Sequence, residues 1–62
     1  MKIKTMRSLK RYAKEIYTDD DGIWVFLKDK YVTAGGGRVI YGDTVQEVLG
    51  AAQGIKKWGP NR

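Results

Sequence analysis

Apolar residues recur along this chain in two different rhythms. Near the start, Met6, Leu9, Ala13, Ile16 and Tyr17 stand three and four apart, which predicts one amphipathic helix from about Thr5 to Tyr17. The run TDDDG then stops it, because aspartates favour turns and Gly22 gives the backbone freedom. From Ile23 to about Leu27 the run IWVFL is β-branched, aromatic or leucine throughout, at the length of a strand. A second strand is expected around Arg38 to Tyr41. Between them KDKYVT extends or resumes the first strand, and AGGGR turns the chain. The helical rhythm returns with Val45, Val48, Leu49, Ala52 and Ile55, predicting a helix from about Thr44 to Lys57. Asp43 or Thr44 can cap it, with Gln46 or Glu47 three residues on. Lys56 and Lys57 would then lie in its last turn, where positive charge suits the helix dipole, before WGPNR ends it.

Helix, strand, strand, helix is the order of an α+β domain. The expected architecture is small and two-layered: an antiparallel hairpin or three-stranded meander packed against two helices. Residues 1–62 form one domain, with 58–62 a candidate flexible tail. In the first strand Ile23, Val25 and Leu27 point to one face and Trp24 and Phe26 to the other. A two-layer domain covers only one face of its sheet. Either the helices clasp the sheet from both sides, or a second copy closes the open face. Trp24 and Phe26 are therefore candidate interface residues. Gly50 and Gly54, four apart in the second helix, join them as a strip where another backbone could approach closely, unless Gly54 simply ends the helix. Trp58, beside Lys56 and Lys57, is the last candidate, packed over the domain edge or offered to a partner.

Composition narrows the chemistry. A chain of 62 residues buries about 60% of the surface its unfolded form exposes, so the core is thin. It has neither cysteine nor histidine, which excludes a disulfide staple and the usual zinc ligands. The same two absences remove the commonest general base and nucleophilic arrangements, and Ser8, the sole serine, stands among cations. No catalytic residue, cofactor or small-molecule substrate is expected. DDDG fails as a calcium loop: with Gly22 in sixth place, the first and twelfth positions are Tyr17 and Lys28. GGGR fails as a phosphate loop, since a strand follows it and not a helix opening with Lys and Ser/Thr. No metal site is expected. The longest apolar run, IWVFL, falls far short of a membrane span, and the cationic start is not followed by a signal-like apolar segment. A cytoplasmic protein with no membrane partner is the expectation.

Charge asks the functional question. The formal net charge is +5, but residues 1–14 hold six bases and no acid, residues 15–47 sum to −4, and residues 48–62 carry +3. Arg7, Lys10, Arg11 and Lys14 would share one stripe of the first helix, with Lys4 just ahead of it. Like charges four apart cost a few tenths of a kcal/mol each on a helix. Either this is the solvated face of the helix, balanced by the aspartates that follow, or it is a surface for a polyanion. Two functional hypotheses result, both non-enzymatic. The first is a basic, nucleic-acid-associated or regulatory module using Lys4, Arg7, Lys10, Arg11, Lys14, Lys56 and Lys57. The second is a protein–protein module, either a homodimer or a small inhibitor or adaptor of a larger protein.

Overall fold

A long β-hairpin occupies the segment whose spacing predicts a helix. The computed structural model describes residues 3–58. Within them a single helical turn, α1 (Met6–Leu9), is followed by strands β1 (Ala13–Asp19) and β2 (Gly22–Leu27). A two-residue strand β3 (Tyr31–Val32), strand β4 (Val39–Gly42), helix α2 (Val45–Ala52) and a two-residue strand β5 (Lys56–Lys57) complete the chain. The main sheet is antiparallel, in the order β1-β2-β4, while β3 and β5 pair separately and antiparallel. The fold is thus α+β, with a three-stranded antiparallel sheet and two helices, but not in the simple order helix, strand, strand, helix.

The misleading spacing has a physical origin. Register runs Ala13 opposite Leu27, then Glu15 opposite Phe26, so Lys14 is an extra residue bulged out of β1. In a regular strand, residues three apart face opposite sides. The bulge restores Ala13 and Ile16 to the same side, and both pack into the core. A bulged strand therefore imitates the three-residue step of a helix. The real α1 lasts one turn: the Thr5 hydroxyl accepts the Ser8 N–H at 3.1 Å, and the chain leaves through a turn at residues 10–12. Lys28 N–H donates to the Tyr12 carbonyl at 2.9 Å, which fastens that turn to the end of β2. TDDDG is a tight hairpin connection. Asp19 pairs with Gly22, and the Asp19 carboxylate accepts the N–H groups of Asp21 and Gly22 at 2.8 and 3.1 Å.

The second helix is shorter than its rhythm suggests. Thr44 caps it as expected, accepting the Glu47 N–H at 3.2 Å, while the Glu47 carboxylate accepts the Asp43 N–H at 2.8 Å. It ends at Ala52, so Lys56 and Lys57 belong to β5 and not to a helix terminus. Gly54 is the reason. A Cβ there would sit 2.6 Å from the Ala34 Cβ, so glycine lets the chain turn close against the 33–37 loop. Likewise KDKYVT does not prolong β2: it turns at 28–30 and supplies β3 to the small sheet.

Both helices cover the same face. Ala13, Ile23, Val25, Leu27 and Ile40 from the main sheet meet Leu9 from α1 and Val48 and Ala52 from α2, with Ile3 and Ile55 closing the ends. Leu9, Val25 and Val48 lose all contact with solvent, and burying such a side chain contributes about 1.5–3 kcal/mol. No polar or charged side chain is buried among the described residues. No helix in them is long and apolar enough to cross a membrane.

Candidate nucleic-acid interface

The antiparallel strands sort charge between the two ends of the fold. At one end stand the hairpin turn with Asp19, Asp20 and Asp21, then Asp43 after β4, then Glu47 in the first turn of α2. At the other end lie the α1–β1 turn with Lys10 and Arg11, the β2–β3 turn with Lys28 and Lys30, and Arg38 ahead of β4. The β3–β5 pair, carrying Lys56 and Lys57, lies there too. Every lysine and arginine among the described residues belongs to this second end. Glu15 and Asp29 are the acids that accompany them.

Secondary links hold the two terminal segments to that end. The Trp58 N–H donates to the Lys30 carbonyl at 2.8 Å. Tyr12 and Tyr31 meet edge to face with centroids 4.8 Å apart, and the Lys30 ammonium lies 6.0 Å from the Tyr31 ring. Ile3 is bonded to Gln53, the residue that caps α2, which draws Lys4 in beside the same end. Lys10 and Lys14 line one shallow depression of about 250 Å³ with Ala13, Glu15 and Ile16.

Arg7, Lys10, Arg11 and Lys14 do not form a helical stripe. Arg7 is on α1, Lys10 and Arg11 are in the turn, and Lys14 is the bulged residue of β1. All four are exposed, as are Lys4, Lys56 and Lys57. Nor do the turn aspartates balance them. From Lys14 to Asp19 the strand spans about 17 Å at about 3.3 Å per residue, twice the screening length of about 8 Å in physiological salt. Among the described residues the one ion pair is Arg38 with Asp29 at 3.5 Å, both well exposed. An exposed pair of that kind contributes little.

The second feature is the uncovered sheet face. Cross-strand register places Tyr17, Trp24 and Tyr41 in one row and Glu15, Phe26 and Val39 in the next. Tyr17, Trp24, Val39 and Tyr41 remain 54%, 37%, 47% and 46% exposed, and Phe26 is half-buried. Trp24 and Tyr41 lean together with ring centroids 4.4 Å apart. The Tyr41 hydroxyl lies 2.7 Å from the Asp21 carbonyl and 3.0 Å from an Asp43 carboxylate oxygen, two acceptors for its single proton. The Asp43 hydrogen bond, then partial desolvation, then the negative charges of Asp43, Asp21 and Asp19 raise its pKa above the ordinary 10.0.

Sequence reasoning names Trp24 and Phe26 for this face but not Tyr17, Val39 or Tyr41. Tyr17 is hidden in the apparent helix. Tyr41 and Val39 could be found from the alternation in RVIYG, which puts Ile40 inward and its neighbours outward. Gly50 and Gly54 are not one strip: Gly54 abuts Ala34, whereas a Cβ at Gly50 would meet open space. Trp58 is 53% exposed beside the small sheet. No protein-family model, curated protein or solved structure matches the chain.

Proposed function

We propose that the chain is a small non-enzymatic nucleic-acid-binding module, working in the cytoplasm, that grips phosphates with the cations gathered at one end of its fold. The observation that carries this reading is their segregation. Lys4, Arg7, Lys10, Arg11, Lys14, Lys56 and Lys57 are exposed, belong to one end, and lie far from the acidic turn. Self-repulsion among so many cations disfavours the free protein. A polyanion relieves it and releases its own condensed counterions.

The grip is one of charge and not of sequence. α1 is a single turn, and α2 carries Glu47 and neither lysine nor arginine, so neither offers a groove the side chains of a recognition helix. Four or five phosphate contacts give a log–log salt slope of about −4 on duplex DNA. Titration of a labelled duplex over a series of salt concentrations tests this. Absence of binding at low salt, or affinity indifferent to salt, removes the proposal. The open aromatic sheet face favours a second reading, a protein–protein contact, which is independent of the phosphate grip.

A further inference from the structure

We infer that the uncovered face of the main sheet is a self-association surface, closed by a second copy of this chain turned end for end. Register makes the patch continuous: Tyr17, Trp24 and Tyr41 form one row, Phe26 and Val39 part of the next, on neighbouring strands. With strands about 4.8 Å apart and about 3.3 Å of rise per residue, such a face has a footprint of roughly 300 Å². A contiguous aromatic patch on that scale is comparable to the largest a typical monomer exposes, and such patches are often functional.

Charge identifies the occupant. The face is bounded by Asp19 and Asp43, with Asp20 and Asp21 in the turn beyond, at one end and by Lys14 and Lys28 at the other, where Glu15 is the one acid beside them. A polyanion laid along it meets the aspartates, and a polycation meets the lysines. Only an occupant with the same polarity, reversed, is complementary at both ends, and the chain itself has that polarity. A two-fold axis lying between the sheets and crossing the strands produces the match. It sets β2 over β2, with Trp24 facing the partner's Phe26 and Lys28 facing the partner's Gly22, beside the hairpin aspartates. It also sets β4 over β4, with Tyr41 facing the partner's Val39 and Asp43 directed to the partner's basic end. The contact is isologous, so each complementary pair occurs twice. Face-to-face sheets of this kind pack at about −30°, within the tolerance of such long side chains. Two such faces come to about 600 Å², well below the figure of about 1,200 Å² for stable complexes, so the association is weak and transient. Lys4, Arg7, Lys10, Arg11, Lys56 and Lys57 take no part, and Lys14 is the one residue of the phosphate grip that borders this contact, so the grip is tested separately through Lys10 and Arg11.

Sedimentation velocity from micromolar to millimolar protein is the test. The mass is expected to rise toward that of a dimer, and to do so at lower protein concentration when salt is low. Tyr17→Glu with Val39→Glu, both on exposed side chains, is expected to remain a monomer with an unchanged circular dichroism spectrum. Orientation is read from charge reversal. Asp20→Lys with Asp21→Lys spares Asp19, which holds the turn, and Lys14→Glu with Lys28→Glu reverses the far end. Each double variant alone is expected to associate at least tenfold more weakly, and an equimolar mixture of the two to recover wild-type association. A wild type that stays monomeric at millimolar concentration and low salt overturns the proposal. So does a dimer that survives Tyr17→Glu with Val39→Glu, or a mixture that gains nothing over its components.

Discussion

The side-chain amide of Gln53 grips the main chain of Ile3 on both its polar groups: Oε1 accepts the Ile3 N–H at 3.2 Å and Nε2 donates to the Ile3 carbonyl. The same Nε2 also lies 2.8 Å from the Leu49 carbonyl at the end of α2. One residue thus docks the N-terminal segment, with Ile3 almost fully buried, against the C-terminal half of the fold. Gln53→Ala is expected to lower stability by about 1–2 kcal/mol, because it leaves the Ile3 groups without their partner. Urea denaturation measures this. A loss below a few tenths would mean that the clamp is idle in solution.

The two glycines near the end of α2 answer oppositely to the same substitution. Nothing stands within 4 Å of a Cβ at Gly50, in the helix itself. Gly50→Ala is expected to stabilise by about 0.5–1 kcal/mol, through helix propensity. At Gly54 the added methyl would collide with Ala34 at 2.6 Å. Gly54→Ala is expected to destabilise by about 1–3 kcal/mol, as overpacking does. Thermal melts of the two variants should move in opposite directions.

Tyr41 gives the fold a sensitivity to alkali. Its raised pKa means that the folded chain holds the phenolic proton more tightly than the unfolded chain does. The stabilisation is complete below pH about 10, where an unfolded tyrosine is still protonated, and is lost as pH rises through the higher folded value. Melting curves from about pH 8 to 11 should show the wild type losing stability more steeply than Tyr41→Phe, which has no proton to lose. Parallel curves would contradict the hydrogen bond to Asp43.

Particular residues explain what could be read from the amino-acid order and what could not. IWVFL and RVIY declare their strands because every position suits a pleated surface, and the Thr44–Glu47 cap fixes the start of α2. TDDDG is legible as a turn, but it reads as the end of a helix and not as a hairpin connection, because the bulge at Lys14 conceals the first strand. One added residue turns a period of two into an apparent step of three, and composition alone does not reveal an insertion. The run IYTD, rich in strand-forming residues, is the signal that competes with it. Gly54 is legible as a break, yet the contact that requires it lies twenty positions away at Ala34. The cations are visible as a run from residue 1 to 14, whereas their meeting with Lys28, Lys30, Arg38, Lys56 and Lys57 depends on antiparallel topology. Charge clustering of that kind is a property of the fold.

Lys10 and Arg11 decide whether this basic end takes hold of phosphates. Both are exposed in the turn between α1 and β1, outside the core and away from the sheet face. The measurement is fluorescence anisotropy of a labelled duplex across a salt series, for the wild type and for Lys10→Glu with Arg11→Glu. A log–log slope of about −4 is expected for the wild type, reduced by about two in the variant, with affinity weakened on every sequence alike. A wild type that ignores the duplex at low salt, or a variant that binds it with undiminished affinity and slope, would rule out a phosphate grip at this end.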